Sequence, residues 1–389
     1  MKLKNIGKVV SVLAFSALLT LGFTTAAKAG VIEPSGLGDQ LLKRYNAGEY
    51  AALQKDLDGM LPKEKMVDGK AIQEELDSTG YVKLEEGGVY YLFTAIKAGS
   101  NMTLDATGAT IFARDVIVNN DPTKTNYQSF DGFKMIGGTY YSLDGEGREG
   151  TSIQFAHGNN ITLQGMDIKH TNYNGHAIEL IACSNVLIEN CILNAQGTPS
   201  DGSVEEMLQI DVATPKTSPR IYELDSAMAN KAACKKVTVR GCEITGNRGL
   251  CCNHSVDMET AMHTGIVIES CTITSMSTEA LALLNTASAK IQKNKIICKS
   301  KDNSSNKSVG INIFNRTGKG LKSIVINNNT IKGKKYAVLA WSENNNQYKK
   351  LTMKKNKLYA KNKKDTMSLG NAFKKTALKS NKNYKNKSK

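Results

Sequence analysis

One eight-residue frame, which reads "ITLQGMDI" where it starts at Ile161, recurs along most of the chain. Clear copies begin at Val186, Val237, Ile266, Ala289, Ile324 and Leu351, and weaker ones at Met102 and Phe133. A second short apolar segment precedes each clear copy, as "HAIELIAC" does before Val186. Short strands repeated every ~20 to 30 residues, without helices between them, are typical of a solenoid, whereas a sandwich or barrel has no reason to repeat one frame. The pattern therefore predicts an all-β, parallel β-helix.

Position six of the frame changes from thiol to amide along the chain. It reads Met166, Cys191, Cys242, Cys271, Asn294, Asn329 and Asn356. Cys183 and Cys234 each precede a cysteine of this set by eight residues, which predicts a second, shorter stack. Neighbouring cysteines are close enough to bridge, but their side chains would point in parallel, so we expect buried free thiols in preference to disulfides. The asparagines would continue the stack with amide hydrogen bonds.

The N-terminal segment has the pattern of a leader. Residues 1–29 combine early lysines, an apolar run from Val9 to Phe23 and the small-residue site Ala27-Lys28-Ala29. This combination predicts a secretory signal peptide. No later segment is apolar over the length that a membrane span requires. We therefore expect an extracellular protein, either free after secretion or associated with the cell wall.

The mature chain divides into three predicted regions. Residues 30–67 have apolar side chains at helical spacing and predict a helical segment. An amphipathic helix just after Asp68 would close the open end of the solenoid, which we place at residues 68–369. Residues 370–389 are rich in lysine and poor in apolar side chains, so we expect a disordered tail.

The positive charge is concentrated near the C-terminus. The whole chain has a formal net charge of +15, and residues 349–389 contain fifteen lysines and one acidic residue, Asp365. The preceding mature chain is mildly acidic and has no basic face with aromatic platforms, so nucleic acid is not an expected partner. We expect the basic tail to contact an anionic cell-wall polymer or a membrane surface, or only to stay solvated.

The coils also resemble a known family. "AIQEELDS" from Ala71, "YVKLEEGGVYYL" after it, and coils such as "VLIENCIL" and "VTVRGCEI" resemble the pectin-lyase-like superfamily, which includes polygalacturonases and pectate lyases. The resemblance covers about residues 68–360 and implies a single-stranded right-handed parallel β-helix with an N-terminal helical cap. Such coils carry several activities, so the resemblance implies a polysaccharide partner without specifying the reaction.

The motifs that carry catalysis in those enzymes are absent. Polygalacturonases have an Asn-Thr-Asp strand, an Asp-Asp pair, Gly-His-Gly and Arg-Ile-Lys, of which only Gly175-His176 and Asn285-Thr286 match a part. The arginine-rich motif and calcium-binding aspartates of pectate lyases are not found. No catalytic residue therefore transfers from the resemblance.

Polar side chains interrupt the apolar strands of successive coils. When "HAIELIA" and "EMLQIDV" are aligned by their apolar residues, Glu179 neighbours Gln209, and Asp211 lies one pleat further along. His176 then falls near Glu206. We expect these side chains to face outward into one groove.

A neighbouring coil and a long loop complete the predicted groove. "CCNHS" brings Asn253 and His254 to the next coil, and His263 follows at its turn. A long excursion over residues 214–233 would place Lys216 and Arg220 above the groove, where they suit carboxylated sugars. The predicted catalytic residues are Glu179, Asp211, His254 and His263; the predicted substrate-binding residues are His176, Glu206, Gln209, Asn253, Lys216 and Arg220.

The first hypothesis is a glycoside hydrolase that cleaves a uronate-containing, pectin-like polysaccharide. Glu179 and Asp211 would lie roughly 8 Å apart from the spacing of strands, a separation that suits inverting hydrolysis by an acid and a base. An alternative is a cell-wall adhesin that binds glycan without cleaving it. Adhesion of this kind favours aromatic platforms, and the single tryptophan, Trp341, lies outside the predicted cluster.

A polysaccharide lyase is the other enzymatic alternative. His254 or His263 would remove the proton next to the uronate carboxylate, and Arg220, Lys216 or a bound Ca²⁺ would neutralise that carboxylate. The hydrolase needs no cofactor. We predict no metal site, because the His-Glu-x-x-His spacing of zinc enzymes is absent.

Overall fold

Three parallel β-sheets run side by side along one long axis, and each complete coil of the chain contributes one strand to each sheet. The computed structural model describes residues 30–114, 117–120, 130–142, 151–170, 176–195, 206–216, 223, 226–253, 261–301, 308–316, 320–343 and 346–386. The predicted signal peptide lies outside these residues. Within them, the sheets have twelve, eleven and ten strands, and every strand pairs with the equivalent strand of the next coil. The predicted all-β parallel solenoid is confirmed.

Strands are numbered along the chain, and each sheet takes about every third strand. Sheet A contains β1 (Val31–Ile32), β2 (Tyr81–Leu84), β5 (Thr103–Asp105), β8 (Lys134–Ile136), β11 (Asn159–Gln164), β14 (Ser184–Glu189), β17 (Lys235–Arg240), β20 (Ile266–Glu269), β23 (Ala289–Gln292), β26 (Ser323–Asn327), β29 (Lys350–Lys354) and β32 (Thr376–Lys379). Sheet B contains β3 (Val89–Leu92), β6 (Thr110–Ala113), β9 (Thr139–Ser142), β12 (Asp167–His170), β15 (Ile192–Ala195), β18 (Glu243–Gly246), β21 (Thr272–Ser275), β24 (Lys295–Cys298), β27 (Thr330–Lys332), β30 (Lys357–Ala360) and β33 (Lys382–Lys385). Sheet C contains β4 (Ile96–Ala98), β7 (Val118–Asn120), β10 (Ile153–Ala156), β13 (Ile178–Ile181), β16 (Glu206–Asp211), β19 (Arg248–Cys252), β22 (Leu281–Leu284), β25 (Val309–Asn315), β28 (Tyr336–Ser342) and β31 (Met367–Ser368).

The eight-residue frame makes one strand of sheet A, a turn and one strand of sheet B. In β11, Ile161 and Leu163 are buried while Thr162 between them is partly exposed, as the two-residue period of a strand requires. Ile161 pairs with Val186, which pairs with Val237, so the apolar positions stack into columns. The apolar segment that precedes each frame forms sheet C.

The predicted ladder of thiols and amides runs inside the turn between sheets A and B. All eight cysteines are buried and free. The backbone N–H of Cys242 lies 3.4 Å from Cys271 Sγ, and that of Cys271 donates to Asn294 Oδ1 at 2.8 Å. Asn294 donates in the same way to Asn329 Oδ1 at 2.8 Å. Each rung therefore accepts a hydrogen bond from the coil before it.

Four helices precede or close the first coil. They are α1 (Leu37–Asn46), α2 (Tyr50–Gly59), α3 (Pro62–Lys65) and α4 (Val67–Thr79). In α4, Ile72 and Leu76 join the core that runs through the solenoid, so this helix caps the open end as predicted. The first two helices instead form a separate apolar cluster with Tyr91 and Phe112 of sheet B.

The lysine-rich C-terminal segment is folded, and our expectation of disorder over residues 370–389 is wrong for the part that the structure describes. β32 pairs in register with β29, and β33 pairs with β30. Asn356 donates from Nδ2 to Asn381 Oδ1 at 2.8 Å, and Tyr384 stacks on Tyr359 with centroids 4.7 Å apart. Hydrogen bonds and ring stacking thus hold the last coil where apolar side chains are few.

Candidate functional site

Sheet C brings together several of the predicted polar side chains. Glu179 pairs in register with Gln154 on one side and Gln209 on the other, and Asp211 pairs with Ile181. The register predicted for these two strands is therefore confirmed. Gln154 Nε2 donates to Glu179 Oε2 at 2.5 Å.

These side chains face away from the solenoid core, but they are not open to solvent. Glu179 is 4% exposed, Gln209 5% and Asp211 0%. Part of the cover comes from the excursion that follows Asp211, because Met228, in a 3-10 helix at Ser226–Met228, packs with Ala156 and Ile181 on this face. Our expectation of a solvent-facing groove at these residues is wrong.

Asp211 is a fully buried carboxyl group of sheet C. Its Oδ2 accepts from Gln209 Nε2 at 2.5 Å, and its Oδ1 accepts from the backbone N–H of Val212 at 2.8 Å. Burial, with the neighbouring Glu179 and Glu206 carboxyl groups, raises the pKa of Asp211 well above its ordinary value despite these two donors. A protonated Asp211 could donate a proton only to a group that reached the covered face.

A charged row crosses sheet C next to these residues. His176 Nδ1 donates to the backbone carbonyl of Glu206 at 2.7 Å and lies 3.7 Å from its Oε2. Glu206 also accepts from the Arg248 guanidinium, whose Nη2 lies 3.1 Å from Glu279 Oε1. The nearly buried Arg248 thus joins two carboxylates of different coils, and they raise the pKa of its guanidinium despite the opposing effect of burial.

Sequence reasoning predicted His176 and Glu206 but missed Arg248 and Glu279. Their spacing is a signal that could have identified them. Each of the four stands two residues before a paired apolar residue of its sheet C strand, and these paired residues are Ile178, Leu208, Leu250 and Leu281. Equal offsets from stacked residues form one column in a β-helix.

The predicted base His263 is a rung of the second internal stack. It is fully buried; its Nδ1 accepts from the backbone N–H of Cys234 at 3.1 Å, and its Nε2 donates to the carbonyl of Asn253 at 2.9 Å. Cys183 donates from its backbone to Cys234 Sγ at 3.2 Å, so the stack continues through the imidazole. Burial lowers the pKa of His263 to about 4, which leaves the ring neutral at physiological pH.

The remaining predicted residues are spread more widely. Asn253 is partly buried, and its backbone N–H donates to the carbonyl of Ile210 at 2.8 Å. Lys216 is exposed. His254 and Arg220 lie outside the described residues, so their predicted roles stay predictions.

Trp341 lies on the same outward face of sheet C, on β28, four strands along the sheet from β16 and so outside the predicted cluster. Its indole stacks on Phe314 with ring centroids 3.8 Å apart and an angle of 18° between the planes. Phe314 packs with Leu284, Ala282 and Cys251, which pairs with Gln209. One outward face therefore passes from carboxylates to aromatic rings along the axis.

An open depression lies on sheet A, on a face that sequence reasoning did not consider. Its volume is about 640 Å³. One wall follows a column of residues with positive φ near the start of the sheet A strands, including Asn160 at 53° and Asn185 at 52°. The lining is rich in amides, hydroxyls and cations: Asn101, Thr103, Gly132, Lys134, Asn160, Ile161, Thr162, Asn185, Val186, Leu187, Lys236, Thr238 and Arg240. We call this depression the sheet A cleft.

Across the described ranges, no three histidine, cysteine, aspartate or glutamate side chains gather closely enough to hold a metal ion. A helix long and apolar enough to cross a membrane is likewise not found in the part of the chain that the structure describes.

The sequence matches no protein-family model and no curated protein. Among solved structures, the chain is similar to the surface adhesin PfbA of Streptococcus pneumoniae, with a TM-score of 0.60 and 16% identity over 80% of this chain and 92% of that one. A second PfbA structure gives a TM-score of 0.56 and 17% identity over 81% and 89%. The tailspike protein gp49 of Acinetobacter baumannii bacteriophage Fri1, a capsular polysaccharide depolymerase, gives 0.52 and 10% over 77% and 53%.

The chain is a right-handed parallel β-helix. The fold predicted from the resemblance to pectin-lyase-like proteins is confirmed, and at these identities the likeness concerns the fold alone. This β-helix presents two chemically different faces near its middle. Sheet C holds carboxyl groups beneath a cover, and sheet A presents an open array of hydrogen-bonding groups.

Proposed function

We propose that this β-helix is a non-catalytic glycan-binding protein that acts outside the cell, as an adhesin does. The sheet A cleft is the observation that carries the proposal. Its hydroxyl, amide and ammonium groups repeat from coil to coil at the spacing of strands, about 4.8 Å. Such an array offers a polysaccharide hydrogen bonds to several sugar units at once, and Leu187, in register between Thr162 and Thr238, adds a small apolar surface among them.

The state of the predicted catalytic groups supports binding over cleavage. Glu179 and Asp211 are buried and already hydrogen-bonded to protein donors, and both ring nitrogens of His263 are occupied. A general acid or base must come within hydrogen-bond reach of the substrate atom it serves. Substrate would reach these groups only after their cover moved.

The comparisons and the leader agree with this proposal. PfbA, whose fold this chain shares, is a surface adhesin, and gp49, with the same fold, is a capsular polysaccharide depolymerase, so both adhesion and action on a polysaccharide are found on this architecture. The N-terminal pattern of residues 1–29 predicts export. We therefore propose an extracellular location and a polysaccharide partner.

The test compares two double variants with the wild type. Lys134→Gln with Thr238→Ala removes two cleft groups, whereas Lys290→Gln with Thr352→Ala makes the same changes in the same outward column beyond the cleft. The measurements are retention on insoluble cell-wall glycan and binding to a panel of soluble uronate and neutral polysaccharides. We expect at least a tenfold loss of affinity for the cleft variant and less than a twofold loss for its control, since each lost hydrogen bond contributes about 1 kcal/mol. Equal affinity of the two variants would refute a cleft site.

A second candidate is the predicted hydrolase acting on a uronate-containing chain. The raised pKa of Asp211 favours it, because a carboxyl group that keeps its proton to higher pH than an ordinary aspartate suits the role of a general acid. New reducing ends that disappear in Glu179→Gln and Asp211→Asn would support the hydrolase. Products that absorb in the ultraviolet as unsaturated uronates would indicate the lyase instead.

A further inference from the structure

Charges alternate along the corner between sheets A and B in the middle of the β-helix. Glu189, Arg240 and Glu269 are in register on three successive coils. Arg240 Nη1 lies 3.2 Å from Glu189 Oε1, and its Nε lies 3.9 Å from Glu269 Oε2. Lys293 adds a contact of 3.4 Å to Glu269. Opposite charges on neighbouring strands stabilise a sheet, and this corner follows that rule.

At the C-terminal end of the same corner, like charges are in register instead. Lys354 is in register with Lys379 on sheet A, and Lys357 is in register with Lys382 on sheet B. All four side chains are exposed. Stacked coils place each pair of equivalent strands only about 4.8 Å apart, and like charges directly opposite one another are destabilising. We call these four residues the lysine ladders.

Acidic side chains do not compensate the lysine ladders. In the described range 346–386 the one acidic residue is Asp365, and its Oδ2 accepts from Asn362 Nδ2 at 3.1 Å. No ion pair within the described residues involves any of the four lysines. Lys355, exposed in the turn between the two ladders, adds a fifth cation. Repulsion among these lysines destabilises the isolated fold. A partner that supplies negative charge would remove this repulsion and so explain why the lysines are there.

The ladders are held on a rigid support. The turn between them contains Asn356, which is 1% exposed and donates from Nδ2 to Ile326 O and Asn381 Oδ1, each at 2.8 Å. Next to them, Tyr359 and Tyr384 stack with an angle of 15° between their planes, and Lys332 Nζ lies 5.2 Å from the Tyr359 centroid. The backbone under the cations therefore needs little ordering when a partner binds, which favours affinity.

We propose that the lysine ladders bind a linear polyanionic polymer whose charged groups are phosphates or carboxylates. Two short rows of cations run along the axis on either side of one corner, a shape that a chain can follow. A flat bilayer would meet one side of the corner at a time. Leu378 is 46% exposed but is in register with the core residue Met353, so it continues the core column and lies off the cationic rows.

The test uses the full mature chain and a charge-matched pair of variants. Lys354, Lys357, Lys379 and Lys382 are changed to Gln in one, and the exposed Lys55, Lys83, Lys97 and Lys290 are changed to Gln in the other. The probes are inorganic polyphosphate, polygalacturonate and vesicles containing phosphatidylglycerol, each at several salt concentrations. We expect the ladder variant to lose at least tenfold in affinity for one of the two polymers, and the control less than twofold. Binding of the wild type should weaken steeply with salt, because the contacts are between exposed charges.

Three outcomes would overturn the proposal. Equal losses in both variants would indicate attraction by net charge alone, and unchanged binding in the ladder variant would place the site elsewhere. Vesicle binding stronger than binding to either polymer would identify a membrane surface as the partner. The midpoint of thermal unfolding is a second readout: polyphosphate or polygalacturonate should raise it in the wild type more than in the ladder variant.

This inference does not depend on the sheet A cleft. The double variant Lys134→Gln with Thr238→Ala serves as the cross-check, since its changes lie several coils from the ladders. It should bind polyphosphate as the wild type does, even if glycan retention is lost. If the ladder variant binds the polymers as the wild type does, the cleft proposal is unaffected. If the cleft variant keeps its glycan retention, the ladder proposal is likewise unaffected.

Discussion

The asparagine ladder predicts a large stability cost for one small substitution, Asn329→Ala. Asn329 is 1% exposed, and its Oδ1 accepts from both the backbone N–H and the Nδ2 of Asn294, at 2.8 and 3.0 Å. Its Nδ2 donates to the carbonyl of Ile291 and to Asn356 Oδ1, each at 3.0 Å. Alanine removes all of these bonds and leaves the backbone N–H of Asn294 buried without its acceptor.

The magnitude follows from those contacts. A buried donor left without a partner costs about 1 to 3 kcal/mol, and each other lost hydrogen bond contributes about 1 kcal/mol net. We therefore expect Asn329→Ala to lower the free energy of unfolding by about 4 to 6 kcal/mol, from one orphaned donor and three further lost bonds. Asn329→Cys should cost less, because Cys271 and Cys242 show that a thiol can accept from the preceding coil at this position.

Urea denaturation followed by circular dichroism measures the difference. Thr330→Ala is the matched control: Thr330 is the next residue, partly exposed on the outer face, and its change should stay within about 0.5 kcal/mol. If the free energies of unfolding of Asn329→Ala and Thr330→Ala lie within about 1 kcal/mol of each other, the hydrogen bonds of the asparagine ladder do not stabilise the fold.

Three further predictions concern buried charge. Arg248→Met should lower the free energy of unfolding by about 3 to 5 kcal/mol near neutral pH, since it leaves Glu206 and Glu279 buried without their cation, and the loss should shrink when acid protonates them. The folded pKa of His263 is about 4, below the value near 6.5 of an unfolded histidine. The stability that neutral His263 contributes is therefore present above pH ~6.5 and falls by up to ~3 kcal/mol as the pH drops to about 4. His263→Asn should reduce this pH dependence of the free energy of unfolding, measured by urea titration at several pH values. The folded pKa of Asp211 is raised, so its contribution is full below pH ~4 and is lost as pH rises through the raised value. Asp211→Asn should therefore flatten the decline of unfolding midpoints toward alkaline pH, and an unchanged decline would contradict the assignment.

Stacked geometry made part of the sheet C arrangement predictable. In a solenoid, residues at equal offsets in successive coils are neighbours, so aligning two strands by their apolar residues was enough to pair Glu179 with Gln209. The same rule would have found Arg248 and Glu279, had the column been followed beyond Glu206. His263 could not be placed this way, because it lies outside the eight-residue frame and joins the stack by accepting from the backbone N–H of Cys234.

The exposure of these residues could not be predicted from their periodicity. A period of two says that Gln209 and Asp211 point away from the core, but it does not say what lies against that outer face. Met228, from an excursion outside the repeat, covers part of it. Sheet A has the same alternation and stays open at Thr162. The open and covered faces of a β-helix therefore depend on its irregular segments.

The C-terminal coils show the division between sequence and tertiary structure most clearly. The amino-acid sequence determined the frame, the ladder of thiols and amides, and the concentration of lysine after Lys349, because these depend only on residue order. Composition alone predicted disorder there, since few apolar side chains are available for burial. Only the folded coil showed that Asn381 extends the ladder and aligns Lys354 with Lys379, because the energy that orders this segment comes from hydrogen bonds to the coil before it.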